Sequence, residues 1–193
     1  MFFTLLLLVL NLGISFWNAR VTGKNWLESK AAGGWIRIVT WSGAVMSAVG
    51  FTYCYAIIIT LLGISFGIIP TAVAKLIMNL TFIGLAIPLL GAGYIITIES
   101  WIRAVREKSL LNTSAAVWNT FASAYNTYTT VKTFGNALDS IKNSIDDKGT
   151  DVDLDSDFGK ALILVILVLF GGVVTTAVIM KKYIGTMPIP ERQ

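Results

Sequence analysis

The chain has no histidine among its 193 residues, which removes the commonest general base and the commonest metal ligand. A single cysteine, Cys54, offers neither a disulfide framework nor a metal pair and reads as a packing residue. Charge is also scarce: 13% of residues are Asp, Glu, Lys or Arg, against roughly a quarter in an ordinary globular domain, so too little is available to solvate a compact soluble surface. Neither a glycine-rich phosphate loop nor a nucleophile elbow occurs. Carboxylates keep to the ends of apolar runs and to one acidic stretch, with no membrane-buried acid of the kind that relays protons in pumps. These absences predict a non-enzymatic protein that uses no cofactor and no metal.

What the chain has in quantity is hydrophobic residues, 55% of the total. Residues 1–19, 38–74, 76–98, 109–131 and 161–180 contain no charged side chain, and a transmembrane helix needs about 20 predominantly apolar residues. The expected fold is all-α: one integral, polytopic membrane domain over residues 1–193, with transmembrane helices at 2–19, 38–62, 71–98 and 161–180. The 38–74 run is too long for one perpendicular crossing at about 1.5 Å per residue. Gly63, Gly67 and Pro70 mark its break. Pro70 suits the start of the third helix, and Pro88 predicts a kink within it. The first run lacks the basic flank of a secretory signal, so it is expected to persist as a helix. The small pairs Gly43/Ser47 and Gly63/Gly67 have the four-residue spacing that lets membrane helices approach closely. The pentapeptide LGISF at 12–16 and 62–66 is too short and too ordinary to establish an inverted repeat.

Basic residues predict the orientation. A loop after the first span would carry Arg20, Lys24, Lys30 and Arg37, and the segment after the third would carry Arg103, Arg106 and Lys108. Both are assigned to the cytoplasm, as is the C-terminal tail with Lys181, Lys182 and Arg192, whereas the N-terminus and an acidic loop at 146–158 are assigned outside. Trp17, Trp35, Trp41 and Trp101 fall at the cytoplasmic ends, where interfacial indoles belong. Lys75 is expected to snorkel to the headgroups, and Glu99 with Arg103 one turn later makes an interfacial ion pair of about half a kcal/mol or less. Asp151, Asp153, Asp155 and Asp157 alternate, but a calcium loop starting at Asp151 would need Gly and Glu where Ser156 and Leu162 stand. A solvated stretch capping the last helix is the better reading.

These assignments require one crossing between Lys108 and Asp146, where the most unusual stretch lies. Residues 109–131 are uncharged but rich in hydroxyl and amide groups, and Asn-Thr recurs every seven residues as Asn112-Thr113, Asn119-Thr120 and Asn126-Thr127. A helix over 109–145 separates two stripes. Val117, Phe121, Ala124, Tyr128 and Val131 alternate in spacings of four and three, an apolar packing seam of coiled-coil type. The Asn and Thr pairs lie on another stripe that demands hydrogen bonds from a neighbour or water, so this helix is a candidate fifth span. The six Asn and Thr residues are expected to line a pore or an oligomer interface.

Three functional classes follow. The first is a homo-oligomer built through the Asn/Thr helix, as a channel or as a viral or phage membrane or DNA-passage component. The second is an accessory structural subunit of a larger membrane complex, and the third a small transporter. The expected partners are the lipid bilayer and either further copies of the chain or other membrane subunits. Nothing in the sequence points to direct nucleic-acid binding, because the net charge of +4 sits beside the spans. The cell (inner) membrane or a virion membrane is the expected location.

Overall fold

A computed structural model describes residues 2–146 and 165–166. It is all-helical over those residues, with α1 (Phe2–Ala31), α2 (Gly34–Ser65), α3 (Thr71–Glu107) and α4 (Leu110–Asp146) running up and down in sequence. The main packing is between chain neighbours: α1 on α2, α2 on α3 and α3 on α4.

Three helices, α1, α2 and α3, are long and apolar enough to cross a membrane. Their outer faces agree with that setting. Phe3, Leu6, Val9, Leu10, Phe16 and Trp17 are exposed on α1, and Ile87 is 85% exposed on α3, a surface that would be costly in water. The expected span at 161–180 falls outside the described residues except for Val165 and Ile166, and the acidic stretch beyond Asp146 falls outside them entirely. Among the described residues there are three such apolar helices and the more polar α4.

The connections are tighter than the sequence suggested. The expected loop carrying Arg20, Lys24 and Lys30 is helical, because α1 continues to Ala31. Nothing in that segment breaks a helix until Gly33 and Gly34, and Lys24 and Glu28, 3.8 Å apart, bridge one turn. Arg103 and Arg106 likewise belong to α3, which ends only at Glu107. At about 1.5 Å per residue, α3 and α4, at 37 residues each, are about 55 Å long, so both exceed a hydrocarbon core of about 30 Å. α3 continues through Pro88 without interruption.

Between α2 and α3 the chain makes a Schellman turn. Gly67 adopts φ +68°, its N–H donates to Ile64 O at 3.0 Å, and Ile68 N–H donates to Gly63 O at 2.8 Å. Pro70 is the residue before the first turn of α3. Ile69 folds back over Gly63, where an added Cβ would lie 2.3 Å from Ile69 Cδ1. Ile69 also joins Val73, Ala74, Ile77 and Val165 in a buried apolar cluster. Further along the α2–α3 interface Tyr53 and Phe82 meet edge to face at 5.9 Å. Lys75 is exposed, at the rim of an apolar hollow formed with Ile57, Leu61 and Met78.

Candidate functional site

The α3–α4 hairpin contains the Asn/Thr stripe and shows what it faces. Lys108 adopts a left-handed conformation, φ 45°, and reverses the chain. α4 then returns antiparallel to α3. Their contact includes small residues: Ala104 is buried on α3, Ala116 and Ser123 are buried on α4, and a Cβ added to Gly93 would lie 3.5 Å from Ser123 Oγ, so the backbones come close. Across that contact runs a ladder of polar side chains. Asn112 Nδ2 donates to Glu107 Oε2 at 2.6 Å, and Asn119 Nδ2 donates to Ser100 Oγ at 2.5 Å. Trp101 Nε1 donates to Thr120 Oγ1 at 2.9 Å. The hydroxyls of Thr97 and Ser123 lie 2.8 Å apart, as do those of Tyr94 and Thr127. Thr97 also donates to Asn119 O at 3.1 Å.

Four of the six Asn and Thr residues therefore find side-chain partners on α3: Asn112, Asn119, Thr120 and Thr127. Thr113 turns back to Ser109 O at 3.0 Å and is exposed. Asn126 is half-buried, and its carbonyl accepts from Thr130. Ser123, which the sequence reading passed over, is the most buried polar residue of the stripe at 7% exposure. Its signal was its place between Asn119 and Asn126 on the same helical face.

The apolar seam behaves in the opposite way. Val117 is 55% exposed, Phe121 64%, Tyr128 63% and Val131 68%, and Ala124 is exposed with them. The seam expected to pack is the outer face of α4, and the polar stripe is its inner face. Hydrogen-bond demand explains the choice: the stripe has partners on α3, whereas a ring or methyl left outside that contact forgoes no hydrogen bond.

A second asparagine series, on α1, escaped the sequence reading. Asn11, Asn18 and Asn25 also recur every seven residues and face α2 with Ser15, Thr22 and Ser29, all three buried. Here the partners are glycines. A Cβ added to Gly50 would lie 2.7 Å from Asn18 Nδ2, and one added to Gly43 would lie 2.7 Å from Asn25 Nδ2. Gly43 and Gly50 are themselves seven apart, so the two heptads mesh antiparallel. Of the small pairs noted in the sequence, Gly43 is a site of close helix approach.

The helix ends carrying Arg37 and Arg103 lie together. Glu99 joins them, accepting from Trp35 Nε1 and from Arg103 Nε at 2.6 Å each. The expected Glu99–Arg103 pair thus also fastens the start of α2 to α3. Compared with known protein families, curated proteins and solved structures, the chain matches none.

Proposed function

We propose that this is a non-enzymatic integral membrane protein that assembles with copies of itself through the outer face of α4. The observation that carries the reading is the division of labour on that helix. Its polar stripe is occupied by α3 of the same chain, while the Val117, Phe121, Ala124, Tyr128, Val131 seam stays open. A seam with alternating four- and three-residue spacings is self-complementary, since knobs from one copy fit holes between the same residues of another. On a helix otherwise rich in hydroxyl and amide groups, this uncharged aromatic face is the natural contact. The Asn/Thr ladder then stiffens each subunit, and any pathway for ions or nucleic acid would arise between subunits.

The test is the mass of the detergent-solubilised protein. A discrete multiple of the 21.0 kDa chain is expected, falling to a single copy in the Phe121→Ala, Tyr128→Ala double variant. Replacing Asn112, Asn119 and Asn126 together with Leu should lower the stability of the chain and leave that multiple unchanged. A wild-type monomer overturns the proposal, as does an oligomer that tolerates the aromatic variant and dissociates in the asparagine one. Ion leakage from liposomes containing the assembled protein then separates a channel from a tight scaffold.

A further inference from the structure

We infer that the closed end of the α1–α2 hairpin is a binding site for the headgroup of an anionic phospholipid. The inference rests on the membrane location and is independent of assembly through α4. The last turns of α1 and the first of α2 enclose a hollow of about 490 Å³ lined by Trp26, Ser29, Lys30, Arg37, Ile38 and Trp41. Arg37 Nε donates to Ser29 O at 3.1 Å. That bond anchors the guanidinium by its inner nitrogen, and the terminal nitrogens keep their donors for a bidentate phosphate contact. Lys30 Nζ sits 5.4 Å from the centre of the Trp26 ring, a cation held at an aromatic face.

The acids near this end are engaged elsewhere. Glu28 pairs with Lys24, Glu99 with Arg103 and Trp35, and Glu107 with Asn112. Among the described residues no carboxylate pairs with Lys30 or Arg37, so the hollow keeps two positive charges. α2 also begins here, at Gly34, and the first N–H groups of a helix add positive potential. A free phosphate would gain from the charges but not from the walls. Trp41 and Ile38 open the long uncharged run of α2, and indoles favour the headgroup level, so a lipid satisfies both halves of the site: phosphate at Arg37 and Lys30, acyl chain along Ile38 and Trp41.

The test is native mass spectrometry of delipidated protein titrated separately with phosphatidylglycerol, phosphatidylcholine and inorganic phosphate. Phosphatidylglycerol should bind in preference to the other two. At about 1 kcal/mol for each basic side chain near anionic lipid, Lys30→Gln with Arg37→Gln should weaken it about thirtyfold. Lys30→Arg with Arg37 unchanged, which keeps both charges and the two-nitrogen contact, should retain most of the binding, and an unfolding temperature of the double Gln variant equal to the parent's excludes a folding defect as the cause. Arg106→Gln, a charge removed from α3 outside the hollow, should weaken binding no more than about fivefold. Equal binding of the two lipids overturns the inference, as does phosphate binding as tightly as phosphatidylglycerol. So does an Arg106 variant as weak as the double one, since the charge of the whole end would then be responsible.

Discussion

In the α1–α2 hairpin Asn18 and Asn25 lie against Gly50 and Gly43, whereas in the α3–α4 hairpin Asn112 and Asn119 reach Glu107 and Ser100. Both helix pairs are antiparallel and both carry asparagine every seventh residue. In the first, the partner positions have no side chain, so the amide fills the space that glycine leaves and the backbones approach. In the second, the partners keep polar side chains and the amides are spent on hydrogen bonds. One spacing thus serves as a shape device in one half of the protein and as a bonding device in the other. The two should fail differently: overfilling breaks the first, and removing a polar atom weakens the second.

The largest effect is expected at the glycines. Gly43→Leu with Gly50→Leu forces bulk into contacts where an added Cβ would already lie 2.7 Å from the Asn25 and Asn18 amide nitrogens, at about 1 to 3 kcal/mol per site. Thermal unfolding in detergent should show that loss. Gly13→Leu and Gly91→Leu, where nothing lies within 4 Å of an added Cβ, should be neutral or slightly stabilising, since glycine is the poorer helix former by about 1 kcal/mol. Equal losses at all four sites would erase the distinction between the hairpins.

A smaller effect is expected from the ladder. A double-mutant cycle with Asn119→Ala and Ser100→Ala should give a coupling of about 0.6 kcal/mol and no more than about 2. The same cycle on Asn18 and Gly50 has no side-chain bond to lose, and Asn18→Ala leaves room that neighbouring groups can fill. A coupling near zero between Asn119 and Ser100 would make the α3–α4 contact a matter of shape as well.

Effects of a size comparable to the ladder's belong to the two turns. The first hairpin reverses with Gly34 at φ +54°, the second with Lys108 at φ 45°. A left-handed backbone costs a side-chain-bearing residue roughly 1 to 2 kcal/mol, so Gly34→Ala should destabilise by about 1 kcal/mol and Lys108→Gly should stabilise by up to about that amount. Unfolding curves of opposite shift would show that the hairpins differ in their turns as well as their seams.

Much of this was legible before any fold was known. Charge-free runs, a break at Gly63, Gly67 and Pro70, and a polar helix over 109–145 follow from composition and local backbone preference; α2 and α4 fall close to the expected bounds, whereas α1 and α3 run well past theirs, to Ala31 and Glu107. The loop at 20–37 was misread because basic residues suggested an interface, and an interface does not end a helix. The asparagine series at 11, 18 and 25 was readable too, but leucines and aromatics around it masked the period.

Over the described residues, the sequence alone determined that the chain is helical, apolar in three long segments and striped in the next, because helix period and hydrophobicity are properties of neighbouring residues. Only the tertiary structure decided which stripe of α4 turns inward, that Asn18 and Asn25 meet glycines, and that Trp35 reaches Glu99. Those outcomes depend on which residues the hairpins bring opposite one another across distances of up to 64 positions. A helix's own pattern states what kind of partner each face requires; the register of its neighbour decides which face receives one.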